Sequence, residues 1–167
     1  MSQAEKLAGG IDAFIDLVGR ATSWLALMLA LVMGGNVLLR YGFSIGSIAM
    51  QELEWHIMVP ICVFGMSYAL RHGEHVRVDV LFQYFSPRNK LRVDVLTAIC
   101  GMLLAVLVIW LCIPYVWQSW SIGEGTANPG GIDYRYVVKA LIPIGFALFF
   151  MQSLSEAIKS SLALRRA

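Results

Sequence analysis

The densest run of side chains able to do chemistry is Arg71-His72-Gly73-Glu74-His75-Val76-Arg77-Val78-Asp79. His72 and His75 stand three apart, a spacing met in metal sites, and Glu74 and Asp79 are the acidic ligands such a site would add. The same run also reads as the junction of a helix with the inner face of a membrane. There Arg71 and Arg77 would meet lipid phosphates or another subunit, and Asp79 would pair locally. His56, beside Trp55, is a further potential ligand, although a lone interfacial histidine is more often structural. Glu52 and Glu54, with Trp55, are either solvated flanks or contacts for a partner. Cys62, Cys100 and Cys112 form an odd set without CxxC spacing, inside apolar runs. That pattern fits neither a disulfide framework nor a zinc site, and small side chains buried among helices are the expectation.

The elements that must carry these residues follow from composition. The chain has 167 residues, 58% hydrophobic and 14% charged, with a mean hydropathy of +0.68. A soluble domain carries about a quarter charged residues, and disorder needs low hydrophobicity, so both are excluded. A net charge of +2 is too small for binding nucleic acid by phosphate neutralisation. Charges then divide the chain. Ala21 to Leu39, Trp55 to Leu70, Val95 to Gly123 and Ala140 to Ser155 are free of Asp, Glu, Lys and Arg, over 19, 16, 29 and 16 residues. A helix needs roughly 20 residues to cross a bilayer. The first and third runs meet that length, and the second and fourth reach it with the flanks Ile48 to Met50 and Tyr134 to Val138. Strands are a poor alternative, because the runs lack period-2 alternation. The expectation is an all-α membrane protein, one domain over 1–167, with spans near 21–40, 50–70, 93–117 and 136–156. The first run follows Glu5, Asp12 and Asp16 and leads into Arg40-Tyr41, so it reads as an anchor rather than a cleaved signal peptide.

Orientation follows from Lys and Arg. If both termini are cytoplasmic, the inner side holds ten basic residues and the outer side three. Tyr41, Trp55, Trp117, Trp120, Tyr134 and Tyr136 then form an outer aromatic belt, while Trp110, deeper in the third span, reads as a packing residue.

Three amphipathic segments are expected as short surface helices. Leu7, Ile11, Phe14, Ile15 and Val18 make one apolar stripe, with Asp12, Asp16 and Arg20 on another face. Ser47 to Trp55 would turn Ile48 and Ala49 inward and leave Gln51, Glu52 and Glu54 polar. Val78, Leu81, Phe82 and Phe85 form the third stripe, making Leu81 and Phe85 candidate subunit or lipid contacts together with Arg71, His75, Arg77 and Asp79. Ser86-Pro87 reads as an N-cap with proline at the first helical position, and Asp133 as a cap for the fourth span.

Transport paths need ionisable groups at membrane depth, and the four runs hold none. Asn36 and Gln152 are the strongest polar groups there, and helix–helix hydrogen bonding is their expected role. Pro60, Pro114 and Pro143 could each kink a span, but no pair of broken helices stands in corresponding halves. A di-haem respiratory anchor would need histidines at depth on facing helices, and only His56 comes near a span.

The order of several motifs resembles a known family. Asn36-Val37-Leu38-Leu39-Arg40-Tyr41 ends the first span and Gln51-Glu52-Leu53-Glu54-Trp55 opens the second. Gly65 to Leu81 with His75-Val76-Arg77-Val78-Asp79, then Phe85-Ser86-Pro87-Arg88, Asn128-Pro129-Gly130-Gly131, Lys139 to Phe146, Gln152 and Ser155-Glu156 complete the series. From about Leu7 to Lys159 the chain is similar to the small, Q-type membrane subunit of a tripartite ATP-independent periplasmic (TRAP) transporter. The resemblance implies a bacterial inner-membrane protein without enzymatic activity or its own cofactor. It implies two partners, a large membrane subunit that binds sodium and a carboxylate solute and moves as an elevator, and a periplasmic binding protein. This chain would scaffold the first and help dock the second.

Overall fold

The computed structural model describes residues 3–74 and 84–166. These form four helices: α1 (Gln3–Gly42), α2 (Ile48–His72), α3 (Pro87–Ser121) and α4 (Arg135–Arg166). All four are long and apolar enough to cross a membrane, and each expected span lies inside one of them.

At about 1.5 Å per residue, the 40 residues of α1 reach roughly 60 Å, about twice the thickness of the hydrocarbon. The N-terminal stripe is therefore not a separate surface helix. Nothing between Val18 and Trp24 breaks the helix, and its buried positions Ala8, Ile11, Asp12, Ile15, Gly19 and Thr22 pack against the bundle. Leu7 and Phe14, assigned to the apolar stripe, are exposed, whereas Asp12 is 7% exposed. The buried face is thus rotated from the expected one, with a carboxylate inside it. The second amphipathic segment is likewise no separate element. Ser47 caps α2 by accepting from the Met50 N–H at 3.3 Å, and the helix runs on without interruption. Ile48 turns outward and Glu52 inward, the reverse of the expected arrangement.

Ser86 caps α3, accepting from the Asn89 N–H at 3.4 Å, with Pro87 in the first turn as expected. α2, α3 and α4 continue through Pro60, Pro114 and Pro143. α4 is central and packs against the other three helices, α1 pairs with α2, and α3 is held chiefly by α4.

Close packing is made by small residues, as expected where lipid supplies no hydrophobic force between helices. Gly145 lies against Val63, and Gly19 receives the ring of Tyr68 so closely that a Cβ would collide with it. Ala98, Ala105, Ser119, Ser153 and Ser155 are buried as well. Large apolar side chains face outward instead: Trp110 is 69% exposed, contrary to the packing role expected for it. Cys62 and Cys100 are exposed rather than buried, and Cys112 is half-buried. Soluble cores are built the other way round.

Candidate functional site

Polar chemistry gathers at the two ends of the bundle. At one end Glu52, in the second turn of α2, organises the loop between α3 and α4. Its Oε1 accepts from the Thr126 hydroxyl at 2.5 Å and the Asn128 amide at 3.0 Å. Its Oε2 accepts from the Ile132 N–H at 2.6 Å, and the Arg135 guanidinium stands 3.8 Å from Oε1. The side chain is 3% exposed, so Glu52 is not a solvated flank. Gly131 passes so near this carboxylate that a side chain there would strike it, and Gly130 holds φ +80°, which favours glycine.

The loop is tied further. Asp133 accepts from the Thr126 N–H at 3.4 Å, turning its carboxylate into the loop instead of capping α4. The Arg135 guanidinium lies 5.5 Å from the Trp55 ring centre. Glu54 accepts from the Asn36 amide at 2.7 Å, joining α2 to the end of α1. His56 bonds through Nδ1 to the Glu52 carbonyl at 2.6 Å, the structural role expected of it. Lys139 forms an ion pair with Glu124 and lies over the Tyr115 ring. That hydrogen bond holds the Glu124 carboxyl below the usual glutamate range.

At the opposite end the centre is Asp12. It accepts from the Ser155 hydroxyl at 2.7 Å and the Gln152 amide at 3.1 Å, both on α4. Lys159 and Arg71 reach its other oxygen at 3.2 and 3.4 Å. One turn along α1, Asp16 meets His72 at 3.0 Å. This end thus binds α1, α2 and α4 together with charge-assisted bonds, the stronger class.

Of the residues singled out in the sequence, Arg71, Glu52 and Glu54 are engaged within the chain, while Trp55 and Phe85 keep 43% and 41% exposure. His75, Arg77, Asp79 and Leu81 lie outside the described residues, as does the rest of the third amphipathic stripe before Phe85. Sequence reasoning missed Asp12, Ser155, Lys159, Thr126 and Asn128. A signal for Asp12 existed: it stands four residues after Ala8 and one after Ile11, in register with the buried stripe.

Residues 29–162 match the family described as "Tripartite ATP-independent periplasmic transporters, DctQ component". The chain belongs to the DctQ family. It is a small TRAP transporter permease subunit, a membrane protein and not an enzyme. This DctQ chain is also 21% identical over 155 residues to the ectoine TRAP transporter small permease protein TeaB of Halomonas elongata, covering 92% of this chain and 79% of that protein. The family match takes in α2, α3, the last third of α1 and all but the end of α4, hence Glu52 and every partner it holds in the loop. Of the Asp12 clasp it takes in Arg71, Gln152, Ser155 and Lys159 but not Asp12 itself.

Proposed function

We propose that this DctQ chain is the scaffolding subunit of a sodium-driven TRAP importer of carboxylate-type solutes in a bacterial inner membrane, with both termini cytoplasmic. It braces the large elevator-type subunit and presents an ordered outer loop to the periplasmic binding protein. Sodium and solute bind on the large subunit.

One observation carries the scaffold role. Two of the amides within the apolar runs join helices: Asn36 donates to Glu54, and Gln152 to Asp12. A sodium site needs several oxygen ligands brought together, whereas these two amides spend their nitrogens on bonds between helices. The Gln152 oxygen has no partner among the described residues, which makes Gln152 the sharper test of the reading. The lipid-like exterior, with Leu103, Leu107 and Trp110 turned out, supports burial in bilayer or against a large apolar partner. The fixed shape of the loop from Glu124 to Ile132 supports a docking role, because a preordered surface loses less entropy on binding. The carboxylate class comes from the family, while the similar Halomonas elongata protein belongs to an ectoine TRAP transporter.

Co-expression with a large TRAP membrane subunit from the same organism, followed by purification through a tag on this chain, tests the reading. The large subunit should be recovered in equal amount, and uptake into vesicles should need this chain, the large subunit and the binding protein together. Uptake undiminished without this chain would refute the scaffold role.

A further inference from the structure

A recess of about 640 Å³ opens among α2, α3 and α4. It exists because α2 and α3 make no extended contact with each other, and each leans on α4 instead. The volume falls within the roughly 300–1,000 Å³ of small-molecule sites.

Polarity changes along this recess in the same direction on every wall. On α4 the lining passes from Phe149 through Ser153 and Glu156 to Ser160. On α2 it passes from Met66 and Leu70 to Arg71 and His72, and on α3 from Leu104 through Cys100 to Asp94. The polar end is the end of the bundle where Asp12 meets Ser155. From Phe149 to Ser160 the helical rise covers roughly 16 Å, about the depth of one hydrocarbon leaflet. Apolar wall, hydroxyl and charge thus follow one another as acyl chain, glycerol ester and headgroup do in a phospholipid.

Two buried polar groups on this lining lack a hydrogen-bond partner among the described residues. Ser153 is 1% exposed, and its hydroxyl lies against Gly101 with nothing to bond. The Arg71 Nε is likewise unbonded, its nearest acid being Asp16 at 3.9 Å. Buried donors of this kind normally find an acceptor. The mouth holds both signs of charge: Arg71 and His72 on α2, which also pair with Asp12 and Asp16, Asp94 on α3, and Glu156 on α4, which also accepts from Lys159 and Gln152.

We infer that this recess is a binding site for one zwitterionic phospholipid of the phosphatidylethanolamine type. An acyl chain lies along Met66, Leu104 and Phe149, and an ester oxygen accepts from Ser153. The phosphate sits by Arg71 and His72, and the ammonium by Asp94 and Glu156. The lipid fills the gap that keeps α2 from α3, so it is part of what holds α3, whose protein contacts are otherwise chiefly with α4.

The test is native mass spectrometry of the chain purified from membranes in mild detergent with its membrane partner. One phospholipid should stay bound per chain, with about tenfold preference for ethanolamine over glycerol headgroups in exchange, the scale of a charged hydrogen bond. Cys100→Trp, which fills the recess from an exposed position, should abolish retention, and Asp94→Asn combined with Glu156→Gln should erase the headgroup preference, because only the ammonium distinguishes the two headgroups. Equal retention by wild type and Cys100→Trp, or no retained lipid, would overturn the site. If Cys100→Trp does not assemble, a phosphatidylethanolamine with a photoreactive acyl chain decides on wild-type protein. Adducts on Leu104 or Phe149 support the site; adducts confined to outward residues such as Trp110 overturn it. A photoreactive group on Cys100 that captures a helix of the partner subunit would also overturn it, by showing a polypeptide in the recess.

Discussion

The Asp12 carboxylate on α1 and the Ser155 hydroxyl on α4 stand 2.7 Å apart across 143 residues of sequence. This bond joins the first helix to the last at the end of the bundle where Arg71 and Lys159 also converge. A double-mutant cycle of Asp12→Ala and Ser155→Ala should give a coupling of about 1 kcal/mol in detergent unfolding, near the upper part of the membrane range. Asp12→Ala alone should cost more than Ser155→Ala, because it also strips two cations of their partner. Costs that add within about 0.3 kcal/mol would show the two residues to be uncoupled.

At the opposite end Glu52 orders the loop, so its removal should free the loop without unfolding the helices. In Glu52→Ala, amide exchange at Ile132 and around Thr126 should quicken by at least about tenfold, as expected when a hydrogen bond to a charged group is lost. Glu52→Gln keeps an acceptor and should fall between. Unchanged exchange in both variants would sink the assignment of Glu52 as the organiser of this loop.

At Gly19 α1 receives a side chain of α2, with the Tyr68 ring in the space a Cβ would take. Gly19→Ala should destabilise the bundle by about 1–3 kcal/mol, the usual cost of overpacking. Gly34, with open space around it, serves as the control. Gly34→Ala should be neutral or slightly stabilising, because alanine favours helix. Equal thermal midpoints for the two variants would contradict the close crossing.

The four spans and the cap at Ser86 were legible because hydropathy runs and cap chemistry are local. What escaped was which face of each helix points inward. In lipid a helix can bury its small and polar residues and turn Leu and Trp outward, so an apolar stripe marks the exterior as readily as the core. That is why Asp12 and Glu52 were read as surface charges and Trp110 as a packing residue. The partners of Glu52 were illegible for a different reason: Thr126, Asn128 and Ile132 meet it only through the folding of a loop more than seventy residues away.

Topology is checked with single cysteines in a background lacking Cys62, Cys100 and Cys112. Gly73 and Gly130 hold left-handed backbone, so their exposed neighbours Glu74 and Ala127 are the better sites. In intact cells an impermeant thiol reagent should label Ala127→Cys and leave Glu74→Cys untouched. Labelling of both, or of Glu74→Cys alone, would contradict an orientation with both termini cytoplasmic.

The central claim is that this subunit serves transport without contributing a ligand to sodium or solute. Gln152 and Asn36 are the residues best able to refute it, since each places an amide within an apolar run. Sodium and solute should be titrated separately in liposomes holding the complete transporter, with Gln152→Ala and Asn36→Ala beside wild type. Each variant loses a helix-to-helix bond worth roughly 0.6 kcal/mol, so maximal uptake can fall while both apparent affinities stay within about twofold of wild type. A tenfold shift in sodium affinity, or a changed solute preference, from either substitution would place a ligand in this chain and contradict the scaffold account.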